Sequence, residues 1–144
     1  MRISSVALVA VCVAGCATLT QDALDSRFGA ADPTRFDRPA APAPGGVSYR
    51  RDVRPILERR CVVCHGCYDA PCQLKLGSWE GVARGTSKAL VYDGTRLLEA
   101  PPTRLFVDAQ TASQWRQKGF DAMLNERTPT PENNLAASVL YRSL

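Results

Sequence analysis

The chain has 144 residues, a formal net charge of +4 and 22% charged residues. That length suits one domain, and a surplus this small, carried by scattered arginines with no basic stripe interleaved with aromatics, argues against a nucleic-acid partner. Six cysteines and one histidine, by contrast, are concentrated chemistry for so short a chain.

The first 15 residues read as an export signal. A single Arg2 precedes an apolar run from Val6 to Ala14, too short for a membrane-crossing helix of about 20 residues but right for the apolar core of a secretory leader. Val13-Ala14-Gly15-Cys16 resembles the lipobox of bacterial lipoproteins, in which the cysteine is lipidated and becomes the mature N-terminus. Cys16 is therefore the expected lipidation site, and each buried acyl methylene would contribute about 0.8 kcal/mol to anchoring. An ordinary leader cut near Ala14 or Ala17 is the plainer alternative. A periplasmic, membrane-anchored location follows from the lipidated reading.

Residues 16–46 contain Pro33, Pro39, Pro42 and Pro44, a Gly45-Gly46 pair and few large apolar side chains. Composition of this kind buries little, so a disordered Pro/Ala-rich tether is expected. The folded unit is then residues 47–144, enough for one small core. Its first predicted helix has Asp52 as cap and Pro55 in the first turn, where a missing N–H costs little. Val53, Ile56, Leu57, Cys61 and Cys64 recur at helical spacing, which predicts one shared, buried face.

Further along, Ser78 is placed to cap a helix through Arg84 that Gly85 ends. Asp93-Gly94 between apolar flanks predicts a hairpin. Pro101-Pro102 interrupts the chain, and "RLFVDA" reads as a short extended segment. Thr111 or Ser113 caps a helix containing Trp115, stopped at Gly119. "FDAMLNE" reads as helical, and Thr130-Pro131-Glu132 opens a last helix with an apolar stripe of Leu135, Val139 and Leu140. The fold class expected is mainly α, a small cytochrome c-like helical domain with short extended segments.

The densest chemistry lies in "CVVCHGCYDAPC", residues 61–72. Cys61-Val62-Val63-Cys64-His65 is the C-x-x-C-H pattern of covalent haem c attachment. Two thiols one helical turn apart can add to the two vinyl groups on one haem edge, and the histidine that follows is placed as proximal iron ligand. Such attachment is completed outside the cytoplasm by the cytochrome c maturation machinery, which agrees with the export signal. The same residues, with Cys67 or Cys72, also provide four zinc ligands, although zinc sites usually separate two ligand pairs by a longer loop. A disulfide framework leaves the histidine unexplained. Cys67 and Cys72 remain after haem attachment, and an oxidising compartment favours a disulfide between them. A redox or iron-flanking role for Cys67 is the alternative.

His65 is the single histidine, so two histidines of this chain cannot flank one iron. Met123, 58 residues downstream, is a candidate sixth ligand, although a methionine at such a spacing is often core packing. Iron left open or weakly ligated on that side suits chemistry better than electron shuttling.

The strings "YRRDVRPILERRCVVCHGCYDAPCQLKLGS", "LVYDGTRL", "PTRLFVDAQTASQWRQKGF", "LNER" and "SVLYRSL" resemble bacterial fatty acid cis/trans isomerase, over about residues 49–144. The resemblance implies a periplasmic haem c enzyme that converts cis double bonds of phospholipid acyl chains to trans in response to membrane stress. It implies catalysis at a haem held by Cys61, Cys64 and His65, with acyl chains at the membrane surface as substrate. Members of that family are several times longer, so this chain corresponds to their N-terminal cytochrome-like portion. A lipid-anchored monohaem cytochrome c for periplasmic electron transfer is the alternative function.

Overall fold

The computed structural model of the chain describes residues 21–38, 44–66, 71–87, 89 and 101–143. The signal segment, Cys16, Cys67 and the expected hairpin around Asp93-Gly94 lie outside them. Among the described residues the architecture is mainly α, as expected, with short helices and one two-stranded sheet. No described helix is long and apolar enough to cross a membrane.

Helix α1 (Gln21–Phe28) is followed by a single π turn (Tyr49–Val53), α2 (Arg54–Arg60) and α3 (Val62–His65). A 3-10 turn (Pro71–Gln73) leads to α4 (Trp79–Arg84) and β1 (Thr86–Ser87). Then come α5 (Ala112–Gln117), β2 (Phe120–Asp121), α6 (Pro131–Ala136) and α7 (Val139–Arg142). The strands pair antiparallel, Thr86 opposite Asp121 and Ser87 opposite Phe120. Gly85, at φ +84°, adjoins that pairing, and a Cβ there would collide with the Asp121 carbonyl. The position demands glycine.

Hydroxyl caps begin most of these helices. Ser78, Thr111, Thr130 and Ser138 each accept a backbone N–H of the first turn, and Pro131 occupies the first helical position of α6. The helix leading into the cysteines starts earlier than expected. Ser48 caps it by accepting from Arg51 N, while the Asp52 carboxylate accepts from Ser48 N at 2.7 Å. Asp52 thus closes a reciprocal box instead of capping.

Leu74, Leu76, Val82 and Met123 form the main buried cluster, with Tyr49, Leu57, Cys61, Val62, Leu124 and Leu140 packed against it. The expected face of the first helix is only partly buried: Leu57 and Cys61 turn inward, but Ile56 is 64% exposed and Cys64 is exposed. The one-residue break at Cys61, between α2 and α3, rotates the cysteines off a common stripe. A second cluster joins Ala109, Trp115 and Phe120.

Four other expectations are corrected. Residues 21–38, assigned to the tether, pack on the folded unit. Asp25 pairs with Arg127 at 2.6 Å, Arg35 donates to the carbonyls of Asn125 and Arg127, and Asp37 accepts from Ser113 N and Oγ. Phe28 is buried, and the Phe36 ring meets Trp79 edge-on at 5.8 Å. Ion pairs and backbone acceptors do the docking, which a count of apolar residues overlooks. "RLFVDA" is a turn closed by the Asp108 carboxylate accepting from Arg104 N at 2.6 Å, with Leu105 and Ala109 bridged and Phe106 at φ +67°. "FDAMLNE" is strand and then irregular chain, because the Asn125 side chain accepts from Arg127 N and donates to Thr128 O. The last helix breaks at Ala137-Ser138, where Ser138 Oγ donates to Met123 O. Leu135 and Val139 stay 52% and 40% exposed, leaving Leu140 alone packed inward.

Candidate functional site

Cys61 is the joint between α2 and α3. Its N–H closes α2 onto Leu57 O at 2.8 Å, while its carbonyl accepts from Cys64 N (3.2 Å) and His65 N (2.9 Å). The two cysteines and the histidine therefore share one helical turn. Cys61 is half-buried against the main cluster, Cys64 faces solvent and His65 is half-buried. Ile56 (64%) and Val63 (88%) are exposed apolar side chains on the same two helices. Among the described residues no three His, Cys, Asp or Glu side chains gather into a metal cage.

The imidazole is oriented by a neighbour in space. His65 Nδ1 lies 3.3 Å from Leu74 O. A carbonyl can only accept, so Nδ1 is the donor in this contact and Nε2 is the ring nitrogen left to face a metal. Such a bond from the outer nitrogen to a backbone carbonyl fixes ring orientation and raises ligand basicity. The residues around it brace the same strand of chain: Leu76 N donates to His65 O at 2.7 Å and Lys75 Nζ to Gly66 O at 3.0 Å. The donor set and its geometry fit covalent haem attachment, with thiols on one turn and an imidazole held from behind.

Met123 lies in the cluster that Cys61 packs against, 5% exposed, with its carbonyl fixed by Leu140 N and Ser138 Oγ. The backbone around it is irregular, not the helix that "FDAMLNE" suggests. Its side chain nonetheless packs with Leu74, Leu76 and Val82. Cys61, Cys64 and Cys72 are free thiols; Cys67, the expected partner of Cys72, lies outside the described residues.

Sequence reasoning missed Leu74, whose carbonyl faces the histidine, and the two side chains that pin its segment. Leu74 and Leu76 flank Lys75 with strand-like alternation, the one signal that could have exposed them. Arg84 is fully buried and donates to Gln73 O and to Thr103 Oγ1 (3.1 Å). Tyr49 Oη donates to Leu76 O, and burial pushes that phenol above its ordinary value.

A separate cavity of about 530 Å3 is lined by Leu24, Pro33, Leu124, Val139 and the Arg116–Glu126 pair, among others, and includes neither cysteine nor His65.

The family described as fatty acid cis/trans isomerase (CTI) matches residues 100–144. That bears out the family resemblance, over a stretch beginning downstream of the cysteines and including Met123 and Glu126. No curated protein and no solved structure matches the chain.

Proposed function

We propose, on the premise of the fatty acid cis/trans isomerase match over residues 100–144, that this chain serves cis-to-trans isomerisation of unsaturated phospholipid acyl chains at one covalently bound haem c. The observation that carries the site is the His65 imidazole held by Leu74 O, on the same turn as Cys61 and Cys64. Cys61 and Cys64 would hold the group through two thioethers, and His65 Nε2 would ligate its iron. When bound, such a haem supplies an electron-accepting iron that can weaken an alkene π bond long enough for rotation about it, with no net redox change.

The chain's own residues set the conditions. Leu74 O keeps the imidazole aimed, with Nε2 turned away from the backbone contact, and Ile56 and Val63 offer apolar surface beside the attachment turn. An N-terminus lipidated at Cys16 in the periplasm would keep the domain beside substrate that barely leaves the bilayer.

Met123 supports a second reading, a lipid-anchored electron carrier with a His/Met iron, because the irregular chain places it in the cluster touching Cys61. One assay separates the two. Haem-loaded chain is incubated with vesicles of cis-monounsaturated phospholipid and the trans share is followed by gas chromatography. Trans chains should accumulate with the native protein and cease to do so with His65→Ala. Activity surviving His65→Ala would sink the proposal. An inactive protein whose sulfur-to-iron absorption disappears in Met123→Ala would favour the electron carrier.

A further inference from the structure

We propose that Arg84 and Tyr49 are positioning residues for His65, acting through the backbone of Gln73–Leu76. This rests on reading His65 as the ligand-bearing residue. Neither side chain reaches the imidazole. Each grips one end of the segment that does.

The segment lies along the turn that carries His65. Leu74 O faces His65 Nδ1 at 3.3 Å, Leu76 N reaches His65 O at 2.7 Å, and Lys75 Nζ reaches Gly66 O at 3.0 Å. At its leading end, Arg84 Nη2 donates to Gln73 O, one peptide before the carbonyl that orients the ring. Arg84 Nη1 also donates to Thr103 Oγ1, whose hydroxyl donates to Gln73 Oε1 at 2.6 Å. Both the main chain and the side chain of Gln73 are therefore held. At its trailing end, Tyr49 Oη donates to Leu76 O.

Two features show that this grip works against an opposing cost. Cys72 and Gln73 sit at φ +54° and +52°, consecutive non-glycine residues in the left-handed region. Such conformations persist only where surrounding contacts over-determine them. Arg84 is itself costly: fully buried, with neutral acceptors for its hydrogen-bond partners and no partner for its Nε among the described residues. The rings of Trp115 and Phe120, at 5.7 and 5.5 Å, offset part of that desolvation. A hydrophobic residue would fill the space at lower cost, but it could not fix the Gln73 carbonyl.

His65 is the single histidine, so ring 15N shifts of the haem-free full chain, labelled at histidine, report its tautomer without ambiguity. At a pH where the ring is neutral, the native chain should hold mainly the Nδ1–H form. Tyr49→Phe and Arg84→Met should each raise the share of the Nε2–H form by roughly threefold or more, the effect of weakening one ordinary hydrogen bond. Arg84→Lys, which can still donate to Gln73 O, should recover part of the native ratio. An unchanged tautomer ratio in folded Tyr49→Phe overturns the proposal, and that variant decides the matter should Arg84→Met fail to fold. The outcome is independent of the isomerase reading. A chain that takes up no haem removes the function proposed above and leaves the tautomer result standing, whereas an active haem protein with indifferent tautomers removes only this inference.

Discussion

Replacing Glu126 by alanine is expected to lower the stability of the folded chain by about 3–5 kcal/mol, the cost of stranding a buried charge. Both carboxylate oxygens accept from Arg116 Nε at 3.0 Å, and Oε1 also accepts from Nη2 at 2.8 Å. The side chains are 4% and 15% exposed, so water cannot take over for a missing partner. Arg116 spends its remaining donors on Arg84 O, Ala83 O and Phe120 O, which tie α5 to the end of α4 and to β2. Loss of Glu126 would loosen that junction and leave a guanidinium without its counter-charge. Glu126→Gln keeps the shape and a carbonyl acceptor, and should cost less.

The same residue sets a pH dependence. Burial pushes the Glu126 carboxyl above its ordinary value, and the Arg116 hydrogen bonds pull it only part of the way back. A carboxyl raised in the folded state contributes stability that is complete below its unfolded value. That contribution falls as pH rises through the folded value. Urea unfolding of the native chain across pH should show this decline, and Glu126→Gln should flatten it. A loss below about 1 kcal/mol for Glu126→Ala, the range of an exposed pair, would contradict the account.

The second large effect concerns the attachment turn. Cys61→Ser combined with Cys64→Ser is expected to abolish covalent haem, because a hydroxyl does not make the thioether. Either single variant should retain one linkage. Cys64 is exposed and Cys61 packs against the Leu74–Met123 cluster, so Cys61→Ser should cost more stability than Cys64→Ser. Intact mass of chains produced with the maturation machinery gives the answer directly. A double variant that still carried one haem mass would show that attachment uses other residues.

Much of the frame is written locally. Ser78, Thr111 and Thr130-Pro131 announce their helices because capping depends on residues a turn apart. The C-x-x-C-H turn is equally local, since a helix of any kind brings positions 61, 64 and 65 together. What escapes a linear reading is long-range and polar. Asp25, Arg35 and Asp37 dock residues 21–38 through partners 76–102 positions away. The Met123 segment looks helical by composition, but its carbonyl is claimed by Ser138 and Leu140 and its neighbour Asn125 bonds its own turn. The grip of Arg84 on Gln73 is invisible for a different reason. A buried arginine that holds backbone carbonyls, with no carboxylate beside it among the described residues, breaks the pattern that sequence rules expect, and only the fold shows which carbonyl it holds.

The most direct test of the central claim is the haem content of the purified native chain, measured as the pyridine haemochrome after denaturation and acid–acetone extraction. One haem per chain should remain with the polypeptide, bearing the spectrum of a haem whose vinyl groups are saturated by thioethers. A colourless chain, or haem that leaves entirely with the solvent, would contradict the account.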